Sequence, residues 1–341
     1  MKSILGLDIG SHSIKLIEIG SSGSEHHLLA AGSIPTPPKA LQSSLEADHQ
    51  AIANAIKQLI KETGAKSSSV AFALPESQVF TRVIEVPALS QRELSSAIGW
   101  EAEQYIPLPL DQVNLDYSIL RDAKDTGTDK MDILLVASPK TLLEKYLTII
   151  EAAELIPVAA ETEIIATARA LSRSVAAIKN AALLVSLGAQ TTDLAILRGG
   201  VLAFTRSIAA GGEALSRALV SGLDFNANQA EEFKRTYGLE QDKLQGKIVT
   251  AVKPIMDTII GEMKRALAFY SEKHKDERVE VTLLSGGTAK LPGMVVYIAQ
   301  NMGIETQLAN PWVGIKRDPR FAVLDKEGAT FTVSVGLALR E

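Results

Sequence analysis

Two short loops of the sequence carry residue types that bind phosphate. The first, DIGSHSIK, starts at Asp8, and the second, SLGAQTTD, starts at Ser186. In each loop a glycine, Gly10 or Gly188, permits a tight turn, and the amides and hydroxyls that follow can point at an anion. A carboxylate such as Asp8 suits this setting when Mg²⁺ and its waters lie between it and the phosphates. Each loop taken alone is also explained by an ordinary polar hairpin.

A third loop, SGGTAKLPGM, follows another strand-like run. The pair Gly286 and Gly287 leaves a flat backbone surface on which a planar base can lie, and a helix is expected to start near residues 290–292. Neither the P-loop pattern nor GxGxxG is present. A plain strand-to-helix turn is the alternative explanation.

The elements around the loops occur twice. Residues 4–34 and 181–209 each read as three strands joined by glycine turns, and Gly10 and Gly188 take matching places in the two sets. Such a duplication predicts two similar α/β halves that face each other across a cleft.

Helices are expected between and after these strands. One begins near Asp48 and ends at Gly64, a long one runs from about Pro254 to His274, and a last one starts after Thr332. Ser90 with Glu93, and Asn226 with Gln229, have the spacing of capping boxes.

Composition excludes several classes of protein. The 341 residues carry a net charge of −5 and no cysteine, so nucleic-acid binding and a disulfide framework are not expected. The N-terminal run is too short and polar for a signal peptide, and no run reaches the roughly 18 apolar residues of a membrane span. We expect a cytoplasmic protein. Histidine is scarce, and His26 and His27 are expected in a solvated turn without metal-ligand spacing.

The chain has two loops suited to phosphate, followed by one loop suited to a base. This order resembles the layout of the actin, Hsp70 and sugar-kinase superfamily. The segments GGEALSRAL and AEEFKRTYG resemble its second-domain helices, which implies that Gly211, Gly212 and Lys234 reach the nucleotide. A solvated helix face is the alternative for Glu231, Glu232 and Arg235.

Within that superfamily the chain resembles the PilM family of type IV pilus proteins over nearly its whole length. Four segments carry the resemblance: LDIGSHSIKLIEI, ELSSAIGWEAEQYIPLPLDQVNLDY, AEEFKRTYGL and LLSGGTAKLPGM. It implies an α/β, actin-like (ribonuclease H-like), duplicated two-lobed fold with a strand-helix-strand-strand insert. The basic amphipathic tail of FtsA-like relatives is not seen at the final GLALRE.

The expected division of the chain follows from that fold. The first lobe comprises 1–76, 155–180 and 328–341, the insert 77–154, the second lobe 181–215 and 278–327, and a helical subdomain 216–277.

The resemblance also implies a site and partners. ATP and Mg²⁺ are the implied cofactors, with Asp8 reaching the metal through water. The implied partner is the cytoplasmic N-terminal peptide of a PilN-like inner-membrane protein, which would lie in a groove between the first lobe and the insert. This partner would bring the chain to the membrane. Pilus motor ATPases and a second copy of the chain are further implied partners. The implied nucleotide-binding residues are Asp8, Gly10, Ser11, His12, Ser13, Lys15, Gly188, Gln190, Thr191, Thr192, Gly211, Gly212, Lys234, Gly286, Gly287 and Thr288.

Ser186 departs from the superfamily pattern, which has Asp at this position. Serine can bond a water but adds no charge beside Mg²⁺. We therefore expect ATP binding with weak or undetectable turnover. Glu161 or Glu163 could replace the missing base, although a carboxylate at a helix start also suits the helix dipole. An FtsA-like polymerising membrane tether and a small-molecule kinase remain alternatives.

The insert helix and the loop after it are the expected partner surface. Trp100 and Tyr105 have a competing explanation as core residues. The stretch Tyr105, Ile106, Pro107 and Pro109 is the better exposed candidate, because its prolines leave backbone groups free to meet a peptide.

Overall fold

A computed structural model describes residues 2–23 and 25–340. Its strands form three sheets of six, five and three strands. No helix of this described part is long and apolar enough to span a bilayer. Elements are numbered below in chain order. Ser24, in the turn expected between the second and third strands, lies outside the described residues.

The six-stranded sheet has the order β14-β3-β2-β1-β4-β8. Its strands are β1 (Lys2–Ile9), β2 (Ser13–Ser22), β3 (Glu25–Pro35), β4 (Ser69–Leu74), β8 (Ile156–Thr162) and β14 (Ile315–Lys316). Its helices are α1 (Glu46–Thr63), α4 (Lys140–Ala152), α5 (Glu163–Val175) and α10 (Gly328–Ala338). Ile52, Ile56 and Leu59 of α1 are buried at helical spacing, and Gly64 ends that helix in the left-handed conformation.

The five-stranded sheet repeats this arrangement in the order β11-β10-β9-β12-β13. Its strands are β9 (Ala181–Leu187), β10 (Thr192–Arg198), β11 (Val201–Ile208), β12 (Val279–Ser285) and β13 (Glu305–Leu308). Its helices are α6 (Gly212–Leu223), α7 (Ala227–Tyr237), α8 (Lys247–Lys273) and α9 (Met294–Met302). In both sheets two antiparallel hairpins precede a parallel crossover strand, so the expected duplication is present.

The third sheet belongs to the insert, and its strands have the order β5-β7-β6. The elements are β5 (Phe80–Pro87), α2 (Gln91–Glu103), β6 (Val113–Arg121), α3 (Ala123–Thr126) and β7 (Lys130–Pro139). The expected strand-helix-strand-strand order is confirmed, and α3 is a short turn within the polar loop. Both predicted capping boxes form, Ser90 with Glu93 and Asn226 with Gln229. We propose that the domain boundaries expected from the sequence fall between these three sheets.

Helices α5 and α10 lie between the two large sheets. An added Cβ at Gly336 would lie 1.8 Å from the Ala166 carbonyl oxygen, and one at Gly6 would lie 2.0 Å from the Ser334 oxygen. Glycine therefore allows α10 to pack closely on both α5 and β1. Helix α10 is buried nearly all round, as a helix between two sheets must be.

Three expectations about local structure were wrong. Helix α8 begins at Lys247 rather than Pro254, because Ile248 and Val252 are buried and hold the turns that precede the proline. Helix α10 begins at Gly328 rather than after Thr332, because its uniform burial removes the amphipathic pattern that marks a helix in sequence. His26 and His27 lie in β3 between two strands, and the His26 side chain is buried with Nδ1 3.1 Å from the Ser21 hydroxyl.

Candidate functional site

A cavity of about 1210 Å³ lies between the two large sheets and is called the cleft below. All three glycine loops contribute to its walls. The predicted residues that line it are Asp8, Gly10, Ser11, His12, Ser13, Lys15, Gly188, Gln190, Thr191, Gly212, Lys234, Gly286, Gly287 and Thr288. The duplication therefore brings together segments that are far apart in sequence.

The first two loops have the same backbone geometry. The Gly10 amide donates to the Ser13 carbonyl at 3.1 Å, and the Gly188 amide donates to the Thr191 carbonyl at 2.9 Å. A Cβ at Gly10 or Gly188 would lie 3.0 Å from the same carbonyl oxygen in its own loop. Both loops are thus tight turns whose remaining amides are available to an anion.

One buried ion pair lies beside the first loop. Lys15 Nζ is 3.0 Å from Asp8 Oδ2, and both side chains are almost fully buried. Asp8 and Lys15 are cross-strand partners on β1 and β2. Phosphate bound by this loop would meet the ammonium directly and the carboxylate through a cation.

The corresponding pair in the second lobe is Ser186 and Asp193, cross-strand partners on β9 and β10. Both line the cleft and both are buried. Ser207 Oγ donates to Asp193 at 2.5 Å, and Thr191 Oγ1 donates at 3.1 Å. Burial raises the pKa of Asp193 to about 6, although these two hydroxyl donors act in the opposite direction. Sequence reasoning did not place Asp193 in the site.

The two glutamates proposed as a base have different surroundings. Glu163, the first residue of α5, lines the cleft. Burial holds the pKa of Glu163 well above its usual range, and the charges of Asp193 and Asp8 raise it further. Glu161, the last but one residue of β8, is wrong as a candidate, because it does not line the cleft and pairs with Arg169 and Arg340.

The third loop is anchored to the second. Gly286 has φ +86°, and a Cβ there would lie 2.4 Å from the Leu187 carbonyl oxygen, whereas Gly287 has open space around it. Thr288 Oγ1 donates to the Gly188 carbonyl at 2.9 Å. Only glycine fits at position 286, and the face at Gly287 is free for a ligand.

Lys234 is the buried cation on the helical side of the cleft. Its Nζ donates to the Gly212 carbonyl at 3.1 Å, to Ser216 Oγ at 2.9 Å and to Glu231 at 2.6 Å. Glu231 has a pKa lowered to about 2, because the hydrogen bonds and charges of Lys234 and Arg235 outweigh its partial burial. These side chains are fixed before any ligand arrives.

Arg235 is exposed on α7, in agreement with the alternative of a solvated helix face, and it also reaches across the cleft. Its Nη2 lies 3.0 Å from His12 Nε2 in the first loop. This contact joins α7 to the opposite half of the molecule at the mouth of the cleft.

Two predicted contacts do not line the cleft. Thr192 is fully buried behind the loop and donates from Oγ1 to the Ala210 carbonyl at 2.7 Å. Gly211 supports the second loop from outside, since a Cβ there would lie 2.8 Å from the Gly188 carbonyl oxygen. Alternation along β10 explains the first error, because Asp193 and not Thr192 faces the cavity.

The proposed partner surface lies outside the cleft. Trp100 is 76% exposed, so its explanation as a core residue is wrong. Ile106 is buried in the insert core, and Tyr105 lies under the Arg82 guanidinium, 4.8 Å from the ring centroid. Pro107 and Pro109 are exposed.

A groove extends the cleft between the first lobe and the root of the insert, where the resemblance implies that the PilN-like peptide binds. Its walls include Leu41, Gln42, Ser77, Gln78, Thr141 and Lys145. Lys145 Nζ donates to the Ser43 carbonyl at 2.9 Å and also to the Leu41 carbonyl, which fixes the segment before α1. The groove and the glycine loops form one continuous cavity.

Comparison with known proteins identifies the family. A family model described as type IV pilus assembly protein PilM matches residues 6–341. A chain of the "PilM-PilN type IV pilus biogenesis complex" is 31% identical, with a TM-score of 0.87 and coverage of 99% of this chain and 98% of that one.

Two more distant similarities were found, one in sequence and one in structure. The cell division protein FtsA of Streptococcus pneumoniae serotype 2 (strain D39 / NCTC 7466) is 25% identical over 93% of this chain and 77% of its own length. MreB 5 of Spiroplasma citri, solved with AMPPNP, is 13% identical with a TM-score of 0.53, covering 98% of this chain and 95% of that one. The expected actin-like fold is confirmed, and the chain belongs to the PilM family of type IV pilus assembly proteins.

Proposed function

We propose that this type IV pilus assembly protein binds ATP with Mg²⁺ in the cleft and holds the N-terminal peptide of a PilN-like inner-membrane protein in the adjoining groove. The observation that carries the proposal is the single cavity that joins the glycine loops to the groove. The protein would then be cytoplasmic and held at the membrane by its partner.

The proposed nucleotide contacts follow from the position of each loop. Amides of the first two loops and Lys15 face the phosphates, while Gly287 offers its open face to the base. Lys234 and Glu231 lie near Gly212, where their fixed polar atoms suit sugar hydroxyls.

The residues present fit Mg²⁺ bound mainly through phosphate and water. No cluster of three acidic or histidine ligands occurs in the part of the chain that is described. Mg²⁺ in nucleotide sites commonly uses one or two carboxylates, several waters and phosphate oxygens. Asp8 is the carboxylate nearest the first loop, and bound Mg²⁺ would supply charge neutralisation for the phosphates.

We propose weak ATP turnover. Ser186 adds no charge, and burial together with the nearby acids disfavours the ionised form of the Glu163 carboxylate. A water-activating base must be ionised near neutral pH. Hydrolysis at a rate of many turnovers per second, lost in Glu163→Gln, would contradict this proposal.

Nucleotide binding is tested at Gly287. A leucine there meets no protein atom near its Cβ but occupies the face proposed for the base. We expect Gly287→Leu to fold and to weaken ATP binding at least tenfold by calorimetry. Gly99→Leu, which also has open space but lies on α2 of the insert, is the matched control.

Peptide binding is tested on α4. Thr141 lines the groove, while Thr148 is exposed on the same helix outside it. A synthetic N-terminal peptide of the PilN-like protein from the same organism should bind the unchanged protein and Thr148→Arg alike. Thr141→Arg should weaken that binding at least tenfold. Equal binding by both variants would place the peptide elsewhere.

The FtsA relationship supports a second candidate, a polymerising tether. Sedimentation with ATP distinguishes the two candidates, because filaments would pellet and a PilN-binding scaffold would remain in the supernatant.

A further inference from the structure

One large aromatic side chain of the insert has no partner in the fold. Trp100, on α2, is 76% exposed, and its side chain makes no ring contact or hydrogen bond within the part of the chain that is described. The other tryptophan, Trp312, is buried and donates from Nε1 to the Leu324 carbonyl at 3.2 Å. Tryptophan is among the residue types enriched at the energetic centres of protein interfaces. An indole left in water at this position is therefore a candidate anchor for a partner.

The position of α2 turns this side chain away from the rest of the molecule. Leu94, Ile98 and Ala102 form the buried face of α2 and pack in the core of the insert. Trp100 lies on the opposite side of the helix, as the 3.6-residue turn requires. The other face of the insert sheet, which includes Leu134, packs in a core shared with β2. None of the described residues of α2 lines the cleft or the groove, so Trp100 belongs to a separate surface.

Acidic residues lie on the same side of α2 as the indole. Glu93 precedes Trp100 by seven residues and Glu103 follows it by three, and these spacings place side chains on one helix face. Ser96 lies between them, and all four residues are exposed. Glu93, Ser96, Trp100 and Glu103 are called the Trp100 face below.

The insert carries the net negative charge of the whole protein. Residues 80–139 contain ten aspartates and glutamates but only five lysines and arginines, a net charge of −5. Because the whole chain also has a net charge of −5, the remainder of the chain is neutral. Among the described residues, Glu85 is the only acid of the insert that has an ion-pair partner. The negative charge around the Trp100 face is therefore uncompensated.

This charge selects among the surfaces that an exposed tryptophan could meet. The acids would repel an anionic membrane surface or a nucleic acid. A symmetric pairing of two copies through α2 would bring Glu93 and Glu103 of both copies together, and like charges across an interface oppose association. A positively charged segment is instead attracted by the carboxylates, and its arginine or lysine side chains can stack on the indole.

We propose that the Trp100 face binds a lysine- and arginine-rich segment of a second protein, at a site separate from the cleft and the groove. The indole is the apolar anchor, and Glu103 with the other acids of α2 attracts and orients the segment. The helix is rigid before the partner arrives, because its capping box fixes the first turn and its buried face fixes it on the sheet.

Crosslinking in cells of the organism that encodes the protein tests this proposal. The full chain carries a benzophenone amino acid in place of Trp100, and mass spectrometry identifies the crosslinked segment. The same amino acid in place of Val323, which is 72% exposed outside the insert, is the matched control. We expect position 100, and not position 323, to crosslink to a segment of one other protein in which lysines and arginines outnumber acids.

Three results of that experiment would overturn the proposal. The first is no crosslink beyond that of the control. The second is a crosslink to a second copy of the chain or to lipid. The third is a crosslink to a segment without net positive charge.

Affinity measurements separate the indole from the acids. A synthetic peptide of the crosslinked segment is titrated against the full chain. We expect Trp100→Ala to weaken binding at least about tenfold and Glu103→Lys at least about fivefold. Glu305→Lys, at an exposed glutamate of β13, should leave binding unchanged. Binding should also weaken as salt is raised, because salt screens exposed charges. Equal affinity of Trp100→Ala and the unchanged protein would refute the proposal.

A loss of folding can be distinguished from a loss of this site. Trp100 and Glu103 are exposed, and surface substitutions of this kind change stability little. Trp100→Ala should therefore keep its melting temperature and bind ATP and the PilN-like peptide as tightly as the unchanged protein. If Trp100→Ala lost these ligands as well, the separate site would be refuted. If the unchanged protein bound neither ligand, the function proposed above would fail while the Trp100 site could still be confirmed by crosslinking.

Discussion

Asp193 lies directly across the sheet from Ser186, in the register position that Lys15 holds opposite Asp8. Each half of the molecule thus places one carboxylate on a hairpin beside its phosphate loop, but on opposite strands. In the first half a lysine neutralises the acid at 3.0 Å, and in the second half hydroxyls of Ser207 and Thr191 hold it. The second loop lacks an acid at its first position, yet its hairpin still presents one to the cleft.

This register predicts that an acidic residue at position 186 would lower the stability of the protein. Ser186→Asp would put a second buried carboxylate opposite Asp193, and like charges directly opposite on a sheet repel. We expect a loss of about 2 kcal/mol in the free energy of unfolding at pH 8. The loss should be smaller at pH 5, where Asp193, with a pKa of about 6, is mostly protonated. Urea unfolding at both pH values measures this, with Ser186→Asn as the neutral control. A pH-independent loss would contradict the repulsion.

Lys15 is predicted to stabilise the fold as well as to bind phosphate. Lys15→Met leaves the Asp8 carboxylate buried without its counter-charge, which costs about 3 kcal/mol in buried pairs. Lys57→Met removes an ion pair of 2.7 Å that is largely exposed, so it should cost less than about 1 kcal/mol. Chemical denaturation of the two variants compares them, and equal costs would show that burial of the first pair does not matter.

Alanine substitutions at the two adjacent glycines of the third loop should have very different effects on stability. Gly286→Ala forces a Cβ into the Leu187 carbonyl at φ +86°, so we expect a loss of about 3 kcal/mol and weaker ATP binding. Gly287→Ala has open space and helical dihedral angles, and its stability should change by less than about 1 kcal/mol. Thermal unfolding of the two variants compares their stabilities. A stable Gly286→Ala protein would show that the loop can rearrange.

Glu76 should make stability depend on pH. It lies in the turn between β4 and the insert, and burial, with the nearby charge of Asp193, raises its pKa to about 7 from 4.5. The unfolded chain therefore loses this proton first, and stability falls as pH rises from about 4.5 to 7, by roughly 3 kcal/mol.

Glu76→Gln should remove most of that fall. Unfolding free energies at pH 5 and pH 8 give the comparison, and the exposed substitution Glu103→Gln is the control for loss of one charge. An unchanged pH dependence in Glu76→Gln would assign the effect to other acids of the cleft.

Local features of the site were predictable because short segments of the sequence determine them. The loop glycines, both capping boxes and the order of the insert elements depend on neighbours within a few residues. The repeat of one strand pattern then predicted that Gly10 and Gly188 face each other. Glu161 and Glu163 show the limit of such local prediction. Only one residue lies between them, yet Glu161 pairs with arginines and Glu163 lines the cleft.

Pattern and spacing were sufficient for the duplicated arrangement of strands and for the three glycine loops, because hydrophobic periodicity and turn chemistry act over short distances. The family, and most of the residues that line the cleft, came from the resemblance. Long-range packing decided the rest. It buried Glu76 near Asp193 and brought Thr205 of the second lobe onto Thr81 of the insert. Burial and charge at these positions depend on segments more than a hundred residues away, and no local pattern encodes them.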